Sequence, residues 1–290
     1  MSRSHRPAVQ KYHDRVAGVY DHSYDDAYWQ WHDRLTWDYL KPFLPRELRT
    51  KIVDLGCGTG KWSSKLLAAG YTITCVDISA QMLDQARAKL SHTGGSHRCT
   101  YVQADICDLS GLPEGCFGLA IAMGEPIGCS SSPARALHEI RRILTEDGIL
   151  VATLDNRLAA VEFYLRKGDS KELERFLRDG KTHWLTNATE ERFPVITFAP
   201  GHVRKFFESA GFTLLDMVGK TVLSMRSYRH LLESSDQRRD WTKIEKSLAR
   251  DPYSIGRASH LQVACRVTKQ DLGQRRSLTR KKETQGISGP

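Results

Sequence analysis

The stretch Ile52–Lys61 reads Ile-Val-Asp-Leu-Gly-Cys-Gly-Thr-Gly-Lys and joins an apolar strand to a helix. Gly56, Gly58 and Gly60 form a turn whose backbone can adopt unusual φ angles and lie close against a ligand. The helix that follows directs its first free N–H groups back at that ligand. The next apolar run along the chain ends at an acidic residue, Asp77. This arrangement predicts a nucleotide-like cofactor at the first strand-to-helix turn of an α/β sheet.

The glycine spacing distinguishes between cofactors. In the dinucleotide fingerprint the third glycine falls three residues after the second. That position here is Lys61, so the sequence lacks the third glycine that an NAD site requires. The spacing of residues 54–60 instead resembles motif I of the class I S-adenosylmethionine-dependent methyltransferases. The resemblance implies that the glycine turn packs against the methionine part of the cofactor. It also implies that Asp77 accepts hydrogen bonds from the two ribose hydroxyls, which suits a carboxylate.

Two later segments extend the resemblance, which covers roughly residues 10 to 155. Ser79 caps a predicted helix and places Met82 one turn in, where the family packs an apolar side chain near the adenine. After a third predicted strand, Asp105 resembles the acid that accepts from the adenine amino group, and Ile106 offers its backbone N–H to the ring.

The N-terminal segment carries a Tyr-x4-Ala-x2-Tyr-Asp-x2-Tyr pattern that begins at Tyr12. It resembles the lid helix of small-molecule methyltransferases, including quinone C-methyltransferases and sugar-amine N-methyltransferases, in which aromatic side chains close over the cofactor. Core packing is the alternative for Tyr12 and Tyr20, and it is the interpretation that we favour for the aromatic stripe from Tyr28 onward, because that stripe recurs at helical spacing. The resemblance implies the following cofactor-binding residues: Tyr12, Tyr20, Asp54, Gly56, Gly58, Gly60, Asp77, Ile78, Met82, Asp105, Ile106 and Met123.

Apolar runs alternate with helical patterns along the chain, as a doubly wound parallel sheet requires. The later strands are predicted at 117–123, 148–154, 212–218 and 260–267, with a helix at 133–144. The segment Glu146-Asp147-Gly148 is predicted to be a turn. These patterns predict a Rossmann-like, mostly parallel, seven-stranded sheet with an N-terminal helical lid. The resemblance further implies that the last strand runs antiparallel between the fifth and the sixth.

Residues 155–200 form an insertion after the fifth strand, with two helical stretches and two β-like runs. Ligands of open α/β sheets bind over the carboxyl ends of the strands, so we expect this insertion to cap the acceptor. His183, Trp184 and Phe193 are its candidate pocket residues, and packing within a small subdomain is the alternative for them.

The loop at 123–128, Met-Gly-Glu-Pro-Ile-Gly, lies where class I enzymes place the group that meets the acceptor atom. DNA and protein-glutamine N-methyltransferases carry an Asn-Pro-Pro-Tyr type motif there, and this chain lacks it. Glu125 is therefore a candidate pocket residue that serves as a base or binds a cationic acceptor. Capping of the following turn is the alternative role for Glu125.

Length and composition favour one α/β domain with insertions. The chain has 290 residues, of which 40% are hydrophobic. We assign a single domain to residues 1–268, with lid helices at 8–48 and a cap at 155–200. We assign residues 269–290 to a basic tail, which holds six Lys or Arg against two acids and which we expect to be disordered.

Cysteine spacing bears on metal binding, and the N-terminal residues bear on the cellular location of the protein. The seven cysteines show no Cys-x-x-Cys pair and no histidine spacing typical of a zinc site, so no metal is expected. Scattered thiols, a polar basic start and the lack of a long apolar stretch favour a soluble cytoplasmic protein without a membrane partner.

These observations predict transfer of a methyl group from S-adenosylmethionine to a small-molecule acceptor by in-line displacement. Whether O, N or C is methylated stays open, and no catalytic residue is assigned. The net charge of +9 keeps an RNA methyltransferase as an alternative. Aminopropyl transfer is disfavoured, because a polyamine pocket needs more acids than the loop supplies. A non-catalytic cofactor-binding protein is the remaining alternative.

Overall fold

A seven-stranded sheet forms the centre of the molecule in the computed structural model, which describes residues 5–93, 95–183 and 192–268. Its strands are β1 (Lys51–Leu55), β2 (Thr72–Asp77), β3 (Cys99–Gln103), β4 (Phe117–Ala122), β5 (Leu144–Asp155), β8 (Phe212–Lys220) and β9 (His260–Val267). Two short strands, β6 (Lys181–His183) and β7 (Pro194–Ile196), form a separate antiparallel pair.

The strand order in the large sheet is β3-β2-β1-β4-β5-β9-β8. The first five strands run parallel, whereas β9 is antiparallel to both of its neighbours. The predicted doubly wound sheet, including the position of its last strand, is confirmed. The strand order reverses direction between β1 and β4, and this crevice is where open α/β sheets bind their ligands.

Helices cover both faces of the sheet because successive strand residues point to opposite sides. In β4, Ala120 lies in a core with Leu137 and Phe207, whereas Ile121 lies in a second core with Leu66. The helices are α1 (His5–Val16), α2 (Ala27–Leu40), α3 (Lys61–Ala68), α4 (Ala80–Ser91), α5 (Pro126–Cys129), α6 (Pro133–Ile143), α7 (Val161–Lys167), α8 (Ser170–Asp179), α9 (Pro200–Ser209) and α10 (Ser235–Leu248).

The predicted start of the fifth strand is wrong. β5 begins at Leu144, which pairs with Phe117, and regular pairing resumes at Ile149 opposite Leu119. An advance of two residues along β4 therefore corresponds to five residues along β5, so the Glu146-Asp147-Gly148 segment is a bulge inside the strand instead of a turn before it. Turn-forming residues do not distinguish a bulge from a turn, because both structures need the same backbone freedom.

The aromatic stripe in α2 packs on the edge of the sheet, as its helical spacing predicts. Trp31 and Leu35 are fully buried and share a core with Val218 of β8 and Met225. The segment between β8 and β9 folds back on the same core and contains α10, for which the sequence analysis made no prediction. Within the described residues, none of the helices has the length and apolar character needed to span a membrane.

The insertion after β5 contains α7, α8 and the β6–β7 pair in the order that the sequence predicts. A parallel bridge between Asn156 and Phe198 closes the base of the insertion, and Asn156 also donates to three carbonyl oxygens near the start of β9. The cap is therefore anchored beside the carboxyl end of β5.

Asp54 in β1 is a buried carboxylate with a measurable effect on stability. It is fully buried and accepts a hydrogen bond from Ser63 Oγ at 2.7 Å. Burial raises the pKa of Asp54 to about 7. The unfolded-state pKa of an aspartate is about 3.9, so between these values the folded chain holds a proton that the unfolded chain has lost. Stability therefore falls as the pH rises through this window.

We expect Asp54→Asn to remove this pH-dependent contribution to the free energy of unfolding. From pH 4 to pH 7 the free energy of unfolding of the native protein should fall relative to that of the variant by more than about 1 kcal/mol, as measured by urea denaturation followed by tryptophan fluorescence. The matched control is Asp84→Asn, which changes an exposed carboxylate paired with Arg87 and should leave the pH dependence unaltered. Parallel curves for the native protein and Asp54→Asn would contradict the buried proton.

Candidate cofactor and acceptor site

The glycine turn between β1 and α3 adopts the conformation that its sequence predicts. Gly56, Gly58 and Gly60 have φ values of 68°, 54° and 79°, which are in the left-handed region that favours glycine. A Cβ on Gly56 would approach Pro126 Cβ to 2.8 Å, so the turn packs tightly against the loop after β4. On the described part of the chain, a Cβ on Gly58 would meet no heavy atom within 4 Å. The turn therefore leaves open space beside Gly58 for a ligand.

Asp77 at the end of β2 holds this turn in place. Its Oδ2 accepts from the Gly58 N–H at 2.9 Å, and its Oδ1 accepts from the Ser79 N–H at 2.9 Å. The side chain is only 6% exposed, and burial raises the pKa of Asp77. The Ile78 N–H is a third backbone donor to this carboxylate. A carboxylate has about four acceptor sites, so it keeps the capacity to accept a further hydrogen bond from a ligand hydroxyl.

A second acid, Asp54, lies beneath the turn. Among the described residues its Oδ1 is buried without a hydrogen-bond partner, while its Oδ2 is bonded to Ser63. Buried polar atoms are rarely left unpaired, so an orphan acceptor at this depth is typical of a site completed by a ligand or water. Open space at Gly58, an orphan acceptor and a carboxylate with free lone pairs fit a cofactor that carries hydroxyl and ammonium donors.

The N-terminal segment is fastened to these turns by acidic side chains. Ser79 Oγ donates to Asp14 of α1 and caps α4 by accepting from Met82 N–H. Thr59 Oγ1 donates to Asp21 at 2.6 Å, and Asp21 also pairs with Lys89 of α4. The N-terminal segment therefore lies over the two turns, where the sequence predicted a lid.

Tyr12 and Tyr20 take different positions in the lid. The Tyr12 ring packs against Phe193 with centroids 5.9 Å apart, in a cluster that also includes Ile78. The Tyr20 ring lies 4.9 Å from that of Tyr24. Tyr12 thus joins the lid to the cap beside the end of β2, and its assignment to the cofactor stays a prediction.

The predicted adenine side lies at the ends of β2 and β3. Met82 is fully buried, and Ile106 is 7% exposed. Asp105 Oδ1 accepts from Cys107 N–H at 2.9 Å, which shapes the loop after β3. The structure places these side chains at the sheet edge that carries Asp77, and their roles toward adenine stay predictions.

Glu125 lies at the other side of the glycine turn, after β4. Its φ is +61°, which is uncommon for a residue with a side chain. The N–H groups of Gly124 and Glu125 both donate to Thr153 Oγ1 of β5, at 2.9 and 3.3 Å. Met123, next to this loop, is 4% exposed and packs in the core. The strained loop is thus fixed from the neighbouring strand.

The structure brings to Glu125 several residues that the sequence analysis did not assign to the site. Ligand atoms of Glu125, Asp155 and His260 all lie within 4.8 Å of one another. Lys220, at the end of β8, is 1% exposed and interacts electrostatically with both carboxylates. His32 of α2 packs edge-on against His260 with ring centroids 5.5 Å apart. The signal for Asp155 and His260 was their position at strand ends on one sheet edge, whereas Lys220 had no local signal.

The predicted cap residues are separated. His183 is exposed at the end of β6, opposite Pro194, and Phe193 is 1% exposed against the lid. Trp184 lies outside the described residues. Pocket roles for His183 and Trp184 stay predictions.

Comparison with known proteins agrees with this geometry. A family described as "Methyltransferase domain" matches residues 52–148, which contain the glycine turn, Asp77 and the Glu125 loop. Residues 52–148 therefore carry a class I methyltransferase domain. The family predicted from the glycine spacing is confirmed, and with it S-adenosylmethionine as the cofactor of that family.

Curated relatives of this methyltransferase domain differ in their acceptors. A malonyl-[acyl-carrier protein] O-methyltransferase from Pectobacterium atrosepticum is 30% identical over 59% of this chain and 64% of its own length. A tRNA 5-carboxymethoxyuridine methyltransferase from Escherichia coli is 24% identical over 80% of this chain and 84% of its own length. The chain spans 64%, 57% and 49% of the lengths of three curated relatives that it matches.

A solved structure shares the fold of the methyltransferase domain without sharing its name. The [4+2]-cyclase SpnF has a TM-score of 0.54 and 21% identity, over 82% of this chain and 81% of that chain. At this identity the likeness shows the fold alone.

Asp77→Ala tests the cofactor end of the methyltransferase domain. The change removes the acceptor for Gly58 and Ser79 as well as the predicted ribose contact, so we expect S-adenosylhomocysteine to bind more weakly by roughly 1–3 kcal/mol in calorimetric titration. The matched control, Asp84→Ala, changes an exposed acid on α4 and should bind normally. Unchanged affinity in a folded Asp77→Ala variant would contradict the assignment.

Proposed function

We propose that this chain transfers the methyl group of S-adenosylmethionine to a small-molecule acceptor by in-line displacement. The observation that carries this proposal is the Gly58–Asp77 hydrogen bond, which shapes a ligand-ready turn at the strand-order reversal between β1 and β4. The capped acceptor edge supports a small acceptor, since α7, α8 and the β6–β7 pair rise from the end of β5.

The residues of the chain have positional roles in this proposal. S-adenosylmethionine supplies a methyl group already activated by a positive sulfonium, so no covalent enzyme intermediate is needed. The glycine turn and Asp77 hold the nucleoside and amino-acid parts, with Asp54 beneath them. The lid, fastened through Asp14 and Asp21, excludes water from the reacting atoms.

Methyl transfer has to be tested directly because the fold alone does not fix the reaction. A cyclase shares the fold, and a protein that retains the cofactor without using it would keep the same turn. Product formation separates these alternatives.

RNA methylation is the second candidate. The relative whose name is a tRNA methyltransferase aligns over most of both chains, and this chain carries a net charge of +9. Basic side chains neutralise phosphates, so binding to RNA should weaken steeply with salt.

We also propose that residues 1–268 form one domain and that the protein works in the cytoplasm. The core residues of both sheet faces are drawn from residues 37–267, which supports a single unit. All seven cysteines are free thiols, which supports a reducing compartment.

The first test is calorimetric titration with S-adenosylmethionine, with S-adenosylhomocysteine and, as a control, with NAD. We expect the first two to bind and NAD not to bind, because Lys61 occupies the position of the third glycine of the dinucleotide fingerprint. Methyl transfer is then detected by incubating the protein with methyl-labelled S-adenosylmethionine and measuring the label that appears in added small molecules. Absence of binding by both sulfur compounds would overturn the cofactor, and binding without transfer to any acceptor would favour a non-catalytic role.

The second test separates RNA from a small acceptor. With total tRNA as the probe, we expect fluorescence anisotropy to show binding that is lost between 50 and 200 mM salt, roughly as for a nonspecific basic protein. We also expect no transfer of labelled methyl groups from the cofactor to the RNA. Salt-resistant binding together with label in the RNA would replace the small-molecule proposal.

A further inference from the structure

Three distant segments place titratable side chains at one point of the sheet edge. Glu125 follows β4, Asp155 ends β5 and His260 begins β9, and their ligand atoms lie within 4.8 Å of one another. The register pairs Asp155 directly with His260. Because β9 runs antiparallel, its first residue reaches the edge at which the parallel strands end. The cluster therefore lies beside the glycine turn, at the side opposite Asp77.

Behind this cluster lies a buried layer of nitrogen-bearing side chains. Lys220 is 1% exposed, and its Nζ donates to Thr36 Oγ1 at 3.0 Å. His32 is 8% exposed. Within the described ranges, His32 Nε2 and His260 Nδ1 are buried and have no hydrogen-bond partner. Burial lowers the pKa of both histidines, that of His32 to about 3, so both are neutral at physiological pH.

The two carboxylates are more exposed and face the cleft. The Asp155 side chain is 33% exposed, and Glu125 is half-buried. The side chain of His260, which lies between them and the buried layer, is 18% exposed. Two carboxylates and one buried ammonium leave a negative balance when both acids are ionised. The Glu125 loop is held in its left-handed conformation by two hydrogen bonds to Thr153, and such strain is concentrated at functional sites. A ligand that enters this cleft meets the two acids before it meets Lys220.

We propose that Glu125 and Asp155 bind the cationic nitrogen of the acceptor and that Asp155 takes the proton which this nitrogen loses before methylation. This inference rests on the proposed methyltransferase function, and it narrows the acceptor to an amine. In the proton step one N–H bond breaks, its electron pair stays on nitrogen as the nucleophilic lone pair, and the proton bonds to a carboxylate oxygen of Asp155. The ammonium becomes a neutral amine and the carboxylate becomes a carboxylic acid.

The surroundings of the two acids differ in a way that separates their roles. Burial raises the pKa of Asp155 to about 8, with Glu125 adding to the rise and Lys220 opposing it. Burial alone would also raise the pKa of Glu125, but the positive charge of Lys220 and a hydrogen bond from Thr153 act against burial, and the pKa lies below its ordinary value. Paired acids whose pKa values are driven apart are typical of an acid–base assignment. Glu125 stays charged, and Asp155 exchanges the proton.

The lid provides the remaining wall. Burial raises the pKa of Tyr20, with smaller contributions from Tyr24 and Glu125, and it also raises the pKa of Tyr24. Both phenols are therefore uncharged, and neutral aromatic rings attract organic cations. An anionic acceptor would face Glu125 and Asp155, whereas a divalent metal ion would lie beside the Lys220 ammonium. Charge therefore favours an ammonium over both.

The test uses the full chain with labelled histidines, saturated with S-adenosylhomocysteine, and follows the His260 and His32 ring signals by NMR. The probes are methylammonium chloride, sodium acetate and magnesium or zinc chloride, at constant ionic strength. We expect methylammonium to shift the His260 signals saturably and acetate to leave them unchanged. His260→Asn and His32→Asn assign the signals.

Variants identify the groups involved. We expect Glu125→Gln to weaken the methylammonium response at least about tenfold, whereas Glu47→Gln, which changes an exposed acid paired with Arg49, keeps it. Should Glu125→Gln fail to fold, Asp155→Asn serves in its place, because Asn retains the size of the more exposed side chain.

The pH dependence of methylammonium binding reports the ionisation of Asp155. Methylammonium affinity should rise from pH 7 to pH 9 as Asp155 loses its proton, and it should be flat in Asp155→Asn. A rise that persists in Asp155→Asn would assign the change to Lys220, whose pKa burial lowers, and would overturn the role of Asp155.

The other outcomes are also decisive. A saturable acetate response would make this an anion site, tighter binding of magnesium or zinc that Glu125→Gln abolishes would make it a metal centre, and no response to any probe would remove the site. Each of these overturns the proposal. Calorimetry with S-adenosylhomocysteine reports on the cofactor separately, so failure of this site is distinguishable from failure of the methyltransferase function.

Discussion

The site depends on the carboxylate of Asp77. By accepting from the N–H groups of Gly58 and Ser79, it joins the turn after β1 to the turn after β2. The two turns begin α3 and α4, so one side chain fixes the relative position of two helix N-termini. Removing this acceptor would leave the buried Ser79 N–H without its partner, which costs about 1–3 kcal/mol, and would also release the partly buried Gly58 N–H. The lid depends on the same link, because Ser79 is also the residue that Asp14 contacts.

Three acidic side chains of the lid hold it against the cofactor turns. Asp14 accepts from Ser79 in the turn after β2. Asp21 accepts from Thr59 in the turn after β1, and Asp33 pairs with Lys61 at the start of α3. Asp21 is half exposed in its pair with Lys89, and such pairs contribute little individually. The lid is therefore attached to the cofactor turns by several polar contacts, whereas Ala8 and Val9 of α1 pack against the cap and α2 packs on the edge of the sheet.

Local and long-range features of the sequence differed in how well they could be predicted. The glycine turn, Asp77 and the Ser79 cap are encoded within about 30 residues, and each follows from backbone geometry. The position of β9 came only from the resemblance, because periodicity carries no information on strand order. Glu125 was recognised as a candidate from its loop, but Lys220, His260 and His32 lie 95, 135 and 93 residues away from it along the chain. Only the folded sheet brings those side chains together, and no local pattern marks a lysine at the end of β8.

Charge connects the two ends of the site. Burial raises the pKa of Asp54, Asp77 and Asp155, so the ionised form of each of these three acids is disfavoured in this state. Taking a carboxylate out of water is costly unless a positive charge or several donors accompany it. The chain supplies only part of that compensation, through backbone N–H groups at Asp77 and through Lys220 at the acceptor edge. A cationic cofactor at one end and the proposed ammonium at the other would complete it. The energy required to bury these acids in the folded chain would then be recovered on binding, and ligands without positive charge would be disfavoured at both ends of the crevice.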